Sequence, residues 1–250
     1  MRPRSHTGYR RLWRWALAVL LLVPLLLLGS VEALYRYGLS RVGELPRAPR
    51  PRTDFATRVL WTSMEEGPLL LEPRWPWTLI ANFAHLYCHP RDRQQPAGSH
   101  LSSFVALRWL ASRPEQERTP MLNWHFHGLA LSIWISRHWT AEELMSAGAE
   151  GARFGRNLIG LDAAARRYFD KEPVQLALHE AAFLAALAQS PARSNPVCRP
   201  ETALRRRDFV LSHLRALGWI SDAQLEDARK QPLLPPEIMT KLRAGGGCWL

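Results

Sequence analysis

The hydrophobic and polar positions of the chain follow two different patterns. Residues 15–31 are apolar or small and include no ionisable side chain, whereas the later part shows apolar positions with helical periodicity and few alternating, strand-like runs. The periodic part predicts helices over residues 101–111, 121–137, 141–149, 161–168, 174–189, 202–217 and 222–230. The expected fold class is therefore mainly α.

Local signals support the ends of several of these helices. Pro173 suits a first helical turn, Gly218 is a stop signal, and Ser221 can cap the last predicted helix. Within residues 174–188 the polar side chains are those of Gln175, His179 and Glu180. A helix with so few polar positions must be buried on most of its circumference, and its many alanines allow neighbouring helices to approach closely.

The N-terminal apolar run, residues 15–31, is long enough to cross a bilayer as a helix. The arginines that precede it predict a cytoplasmic N-terminus and an exported remainder. An uncleaved anchor is favoured by the flanking aromatic residues Trp13, Trp15, Tyr35 and Tyr37. A cleaved signal peptide is the open alternative, since small residues that suit a cleavage site also follow the run.

The composition of the chain changes at several points, which predicts five segments. They are a cytoplasmic basic tail (1–14), a transmembrane anchor (15–35), a Pro/Arg-rich linker (36–53), a globular domain (54–240) and a flexible tail (241–250). The linker contains LPRAPRPR, whose prolines exclude a helix interior and favour an extended spacer. Its arginines could also be attracted to anionic headgroups.

The charge distribution argues against a nucleic-acid partner. The formal net charge is +11, but residues 1–52 hold ten Arg against Glu32 and Glu44, so most of the excess lies outside the predicted domain. A nucleic-acid binder needs a basic surface on the folded part.

Cysteine and histidine positions predict neither a disulfide framework nor a metal site. Cys88, Cys198 and Cys248 are an odd number, although one pair could bridge in an oxidising compartment. His85, Cys88 and His89 would share a helical face like half a zinc site, but no partner follows at finger-like spacing.

The order of residues after position 155 resembles the end of the catalytic domain of glycosyltransferase family 51, the peptidoglycan glycosyltransferases of penicillin-binding proteins. The matching positions are Gly155, Gly160, Asp162, Ala163, Ala164, Tyr168, Phe169, Lys171, Leu176, Glu180, Ala181, Ala182, Leu184, Gln189, Pro191, Asn195 and Pro196. Residues 203–233 look like the family's Arg-rich helix, Gly-Trp-Ile turn and final short helix. This resemblance implies a lysozyme-like helical domain behind one transmembrane helix.

The family's first two motifs are matched only in part. Glu65 and Glu66 stand where the first motif has Glu-Asp, whose Glu is the base that deprotonates the acceptor hydroxyl. The Phe and His of that motif have no counterpart. Gly98 and Ser99 match the start of the second motif, while its Gln-Gln pair is absent.

The third and fourth motifs are eroded further, and the fourth keeps Glu143 but not its Lys, Tyr or Asn. Residues 121–139 include no acidic residue, so the second Glu of the family is missing, and the nearby cation is Arg137. In the family the Arg and Lys of the third motif form a clamp that holds the lipid diphosphate. The candidates to replace part of this clamp are Arg108, Arg137, Arg153 and Arg156, since guanidinium groups bind phosphate well. No cofactor is certain, and a divalent cation remains open. Loss of a second carboxylate and of the clamp predicts slow chemistry.

Two functional hypotheses follow from the resemblance. The first is a membrane-anchored peptidoglycan glycosyltransferase-like protein, on the periplasmic side of a bacterial inner membrane, that acts on lipid II or a related undecaprenyl-linked glycan with reduced or lost catalysis. The second is a non-catalytic protein that binds lipid II or other cell-wall synthesis proteins. A hydrolase is a weaker third hypothesis, because it needs a positioned carboxylate pair and Glu65 with Glu72 is the nearby choice.

Overall fold

The computed structural model describes residues 7–65, 69–78, 95–113, 121–246 and 248. Its helices are α1 (Thr7–Ser40), α2 (Phe55–Met64), α3 (Ser99–Ala111), α4 (Met121–His138), α5 (Ala141–Gly151), α6 (Leu161–Phe169), α7 (Leu178–Gln189), α8 (Pro200–Ala216), α9 (Asp222–Lys230) and α10 (Pro236–Ala244). Over the described ranges there is no β-strand, and one isolated bridge pairs Arg153 with Ile159. The prediction of a mainly α fold is confirmed.

The first helix is long, apolar and exposed. Its segment Trp15–Ser40 has 26 residues and is long and apolar enough to cross a membrane. The helix continues to Ser40, so it includes the start of the segment predicted as a linker. The predicted segment boundaries themselves remain predictions.

The last turns of α1 pack against α4. A Cβ atom added at Gly38 would lie 2.8 Å from Cε1 of Phe126 and 3.1 Å from Cβ of Ala130, so the two helices approach as closely as a glycine permits. Tyr35, Ala130 and Ile133 form a small buried cluster beside this contact. The apolar helix is therefore docked on the domain through its last turns.

Helix α7 lies at the centre of the main hydrophobic core. Residues 181–187 are each at most 2% exposed, and the helix packs against α2 and α8. The ring of Phe183 meets those of Tyr168 and Phe169 edge to face, at centroid distances of 5.7 and 6.0 Å. The expected burial of this segment is confirmed, and the small alanine side chains explain the close packing.

The predicted start of the helix at residue 174 is wrong. Pro173–Gln175 forms a single 3₁₀ turn, Leu176 and Ala177 have extended backbone, and α7 begins at Leu178. The Glu180 side chain marks this start, because its Oε2 accepts a hydrogen bond from the backbone N–H of Ala177 at 2.8 Å. Lys171 Nζ donates to both oxygens of the same carboxylate at 2.8 Å.

A second core joins α3, α4 and α5. Its buried members include Trp61, Leu101, Leu131 and Leu144, so α2 contributes to this core through Trp61 and to the main core through Val59 and its neighbours. Because α2 lies between the two cores, its C-terminal end is held in place from both sides.

The C-terminal part is tied to α8 and to the turn that precedes it. Arg207 is fully buried and donates to the backbone carbonyls of Arg229 and Gln231, at 3.0 and 2.7 Å. A disulfide joins Cys198 to Cys248, so one residue of the predicted flexible tail is covalently attached to the domain.

Candidate functional site

Glu65 is a buried carboxylate at the end of α2. It is the residue that follows the helix, its backbone N–H bonds to the carbonyl of Trp61 at 2.8 Å, and it is 5% exposed. Its Oε1 accepts a hydrogen bond from the backbone N–H of Leu101 at 2.5 Å. Two segments that are far apart in sequence therefore meet at this side chain.

The partner of Glu65 is the first turn of α3. Gly98 precedes this helix with a φ of 78°, and no side chain within the α3 segment caps it. This positive φ favours glycine, and a Cβ atom at Gly98 would also lie 2.5 Å from Cδ1 of Leu71, so that the tip of the leucine side chain would have to move. The first N–H groups of a helix lack internal partners, and the Glu65 carboxylate serves as the acceptor for one of them.

The environment of Glu65 favours its protonated form. Burial raises the pKa of the carboxyl group, and this effect is opposed by the hydrogen bond from Leu101, by the charge of His100 and by the backbone N–H groups of Gly98 and His100. The pKa remains above its ordinary value of 4.5.

Arg74 is a cation near this carboxylate that the sequence did not indicate. Burial lowers the pKa of Arg74, and the negative charge of Glu65 acts in the opposite direction. Its backbone N–H donates to Ser136 Oγ at 3.0 Å and its Nη1 donates to Ser132 Oγ at 3.4 Å, so α4 holds both ends of the residue. No motif marks the position, because only the tertiary fold brings it near Glu65.

A cleft of 510 Å³ opens beside Glu65. It is lined by Thr62, Ser63, Met64, Glu65, His100, Gln189, Phe209 and His213. The side chain of Gln189 is fixed by a 3.2 Å hydrogen bond from its Nε2 to the carbonyl of Ser63. The described lining thus offers one carboxylate, two imidazoles, one amide and one aromatic ring.

Three of the residues predicted for the site lie together. Gly98 and Ser99 form the start of α3, where Glu65 bonds, and both are buried. Ser99 Oγ donates to Gln95 Oε1 at 3.1 Å and is therefore engaged within its own loop. Glu66 lies outside the described residues.

The predicted arginines do not line the described part of this cleft. Arg108 borders a separate groove of 290 Å³, together with Trp109, Trp139 and Glu150. Arg156 is exposed on the surface.

Arg137 belongs to an aromatic cluster at the end of α1. Its guanidinium lies 4.1 Å from the ring centroid of Trp75 and 5.9 Å from that of Tyr35. Trp75 in turn stacks on Trp77 at 4.8 Å. A cation between aromatic faces is stabilised by the ring quadrupoles, so Arg137 joins the domain to the apolar helix.

The described residues provide no metal site. None of their His, Cys, Asp and Glu side chains form a group of three or more that could hold a metal ion. His127 is buried and His125 is exposed, while the His85, Cys88 and His89 cluster lies outside the described residues.

Comparison with known proteins finds a match to one family over part of the chain. Residues 93–215 match the Transglycosylase family, and this match begins after Glu65. The chain is 40% identical over 103 residues to penicillin-binding protein 1A of Aquifex aeolicus, covering 41% of this chain and 14% of that protein. It is 27% identical over 224 residues to penicillin-binding protein 1C of Escherichia coli, covering 88% of this chain and 26% of that protein. These matches support a transglycosylase domain at residues 93–215, in agreement with the resemblance to glycosyltransferase family 51.

The relatives are much longer than the matched region. The chain spans only about one seventh and one quarter of the two penicillin-binding proteins named above. A crystal structure of penicillin-binding protein 1A from Haemophilus influenzae matches 54% of this chain and 16% of its own, with 23% identity and a TM-score of 0.33.

Proposed function

We propose that this chain is a membrane-anchored, peptidoglycan glycosyltransferase-like protein that binds lipid II or a related undecaprenyl-linked glycan and has reduced or lost glycosyl transfer. The observation that carries the proposal is the burial and hydrogen bonding of the Glu65 side chain. Its carboxylate is buried and engaged by the first turn of α3. The cleft residues that the structure describes include no second carboxylate and no Arg or Lys.

The chemistry explains why this arrangement supports binding better than transfer. Displacement of a lipid diphosphate needs a base at the attacking hydroxyl, which contributes roughly two to four orders of magnitude in rate. It also needs fixed positive charge at the departing phosphates. Glu65 can supply a carboxylate, but one of its oxygens already accepts a backbone hydrogen bond. Arg74, a cation near Glu65, is held by serines of α4.

The membrane part of the proposal rests on α1. An apolar helix of the length of Trp15–Ser40 suits a bilayer, and the arginines that precede it favour a cytoplasmic N-terminus. The domain would then lie on the periplasmic side of the inner membrane. Trp75, Trp77 and Arg137 beside the end of α1 are residue types that suit a membrane interface.

Lipid II polymerisation by the purified full-length protein in detergent tests the proposal. Wild type, Glu65→Gln and the control Glu72→Gln are compared for glycan products, and lipid II binding is measured on the same samples. Glu72 is the matched control because it is an exposed carboxylate of the following segment. We expect saturable binding by all three proteins and little or no product.

Two outcomes would contradict this proposal. Rapid polymerisation by wild type and Glu72→Gln, lost in Glu65→Gln, would establish an efficient enzyme with Glu65 as its base. If the wild type does not bind lipid II, then lipid II is not its ligand. Other cell-wall synthesis proteins would then be the partners to examine.

A further inference from the structure

The cleft beside Glu65 has one wall that the family motifs do not explain. Phe209 and His213 are one helical turn apart on α8 and both line the cleft. Phe209 is 70% exposed, although its neighbours Val210 and Leu211 are buried in the main core. A large aromatic side chain is thus displayed at the rim of a cleft on a helix that is firmly packed on its other face.

We infer that Phe209 and His213 form a platform for the uncharged sugar rings of the glycan, specifically for N-acetylated hexosamines. This inference rests on the proposed function. It identifies the sugar rings as the part of the substrate that helix α8 contacts.

The chemistry of the platform matches a sugar ring. One face of a hexosamine presents polarised C–H groups, which are attracted to the negative face of an aromatic ring. The edge of the same sugar carries hydroxyl and acetamido groups, which need hydrogen-bond donors and acceptors. The imidazoles of His100 and His213 and the amide of Gln189 line the same cleft as Phe209 and supply both kinds of group.

The charge of the described lining also suits a neutral ligand. It includes no Arg or Lys, and its one carboxyl group is that of Glu65, which is buried against α3. The phosphates of a lipid-linked substrate would be repelled by this carboxylate, whereas a sugar hydroxyl can bond to it. A cleft of 510 Å³ is within the range of about 300–1,000 Å³ found for small-molecule sites.

The platform is largely preformed. Helix α8 is anchored by buried Val210, Leu211 and Leu214, and Gln189 is fixed to the carbonyl of Ser63. Binding would therefore require little ordering of the protein, which favours affinity for a small ligand.

Titration calorimetry with the tetrasaccharide of β-1,4-linked N-acetylglucosamine tests the inference. The full-length protein in detergent is used as wild type, Phe209→Ala, His213→Ala and Leu204→Ala. Leu204 is the matched control, because it is a partly exposed apolar residue of the same helix that is not among the residues lining the cleft. We expect saturable binding by wild type and Leu204→Ala, and an affinity about tenfold lower for Phe209→Ala, the usual effect of removing an aromatic anchor.

Lipid II binding is measured on the same four proteins. Wild type that binds lipid II but not the tetrasaccharide, or equal tetrasaccharide affinity of wild type and Phe209→Ala, would overturn the sugar platform and leave the proposed function standing. Wild type that binds neither ligand would overturn both. If Leu204→Ala binds the tetrasaccharide as weakly as Phe209→Ala does, the substitutions act through a general effect on α8. That result would also overturn the inference.

Discussion

The carboxylate of Glu65 accepts a hydrogen bond from the backbone N–H of Leu101, and this bond joins the end of α2 to the first turn of α3. The family resemblance makes the same side chain a candidate base, and that role remains a prediction. Glu65 therefore has a structural role that can be measured separately from any chemistry.

Removal of the acceptor should destabilise the domain. Glu65→Ala leaves the N–H of Leu101 without its partner, and we expect the free energy of unfolding to fall by about 1–2 kcal/mol, as for a lost helix cap. Glu65→Gln keeps a carbonyl oxygen at this position, and its free energy of unfolding at neutral pH should be at least that of the wild type. Denaturant unfolding in detergent, followed by circular dichroism, measures the stability of both variants. An equal loss of stability in the two variants would show that the hydrogen-bond acceptor at residue 65 does not stabilise the domain.

The raised pKa of Glu65 predicts a dependence of stability on pH. The carboxyl group binds its proton more tightly in the folded state. Its contribution to the stability of the protein is therefore fully present below the ordinary pKa of 4.5 and is lost as pH rises through the raised pKa. Glu65→Gln lacks this titration. The difference in unfolding free energy, wild type minus Glu65→Gln, should therefore decrease as pH rises above 4.5. An increase over that range would mean that the pKa is lowered in the folded protein.

The contact between α1 and α4 should be sensitive to side-chain size at Gly38. Gly38→Val forces a side chain against the ring of Phe126, and overpacking of this kind costs about 1–3 kcal/mol. Gly29→Val is the matched control, since nothing lies within 4 Å of a Cβ atom at Gly29 in the same helix. Thermal unfolding in detergent should show a lower midpoint for Gly38→Val alone, and equal midpoints would indicate that α1 is not docked in solution.

The ion pair of Lys171 and Glu180 should contribute to stability. Glu180 is 4% exposed, so Lys171→Met leaves a buried carboxylate without its cation. We expect a loss of about 2–3 kcal/mol, below the value for a fully buried pair because the Lys171 side chain is 38% exposed. The control Lys230→Met breaks an exposed pair with Asp227 and should cost less than about 0.5 kcal/mol. Similar losses in both variants would show that burial of Glu180 does not govern the effect.

Much of the helical framework could be predicted because its ends carry local signals. The helix α9 has the predicted bounds, and Ser221 caps it by accepting from the backbone N–H of Gln224 at 3.2 Å. Helix α2 was missed although Asp54 caps it by accepting from the N–H of Thr57 at 2.9 Å. It is short, and its apolar positions are shared between two cores, so its periodicity is weak.

The site was less predictable, because its residues converge only in three dimensions. Glu65, Gly98 and Ser99, which the family resemblance assigns to the site, lie close together, and their roles remain predictions. Arg137, another candidate for substrate binding, lies near the rings of Trp75 and Tyr35, and its role also remains a prediction. Neither that position nor the approach of Arg74 to Glu65 has a signal in the local sequence.

The bond between Cys198 and Cys248 closes a covalent ring that contains α8, α9 and α10. A single cut by a protease inside this ring would leave the two fragments attached until the disulfide is reduced. The wall of the cleft that carries Phe209 is part of the ring, so it would stay tethered to the rest of the protein after such damage.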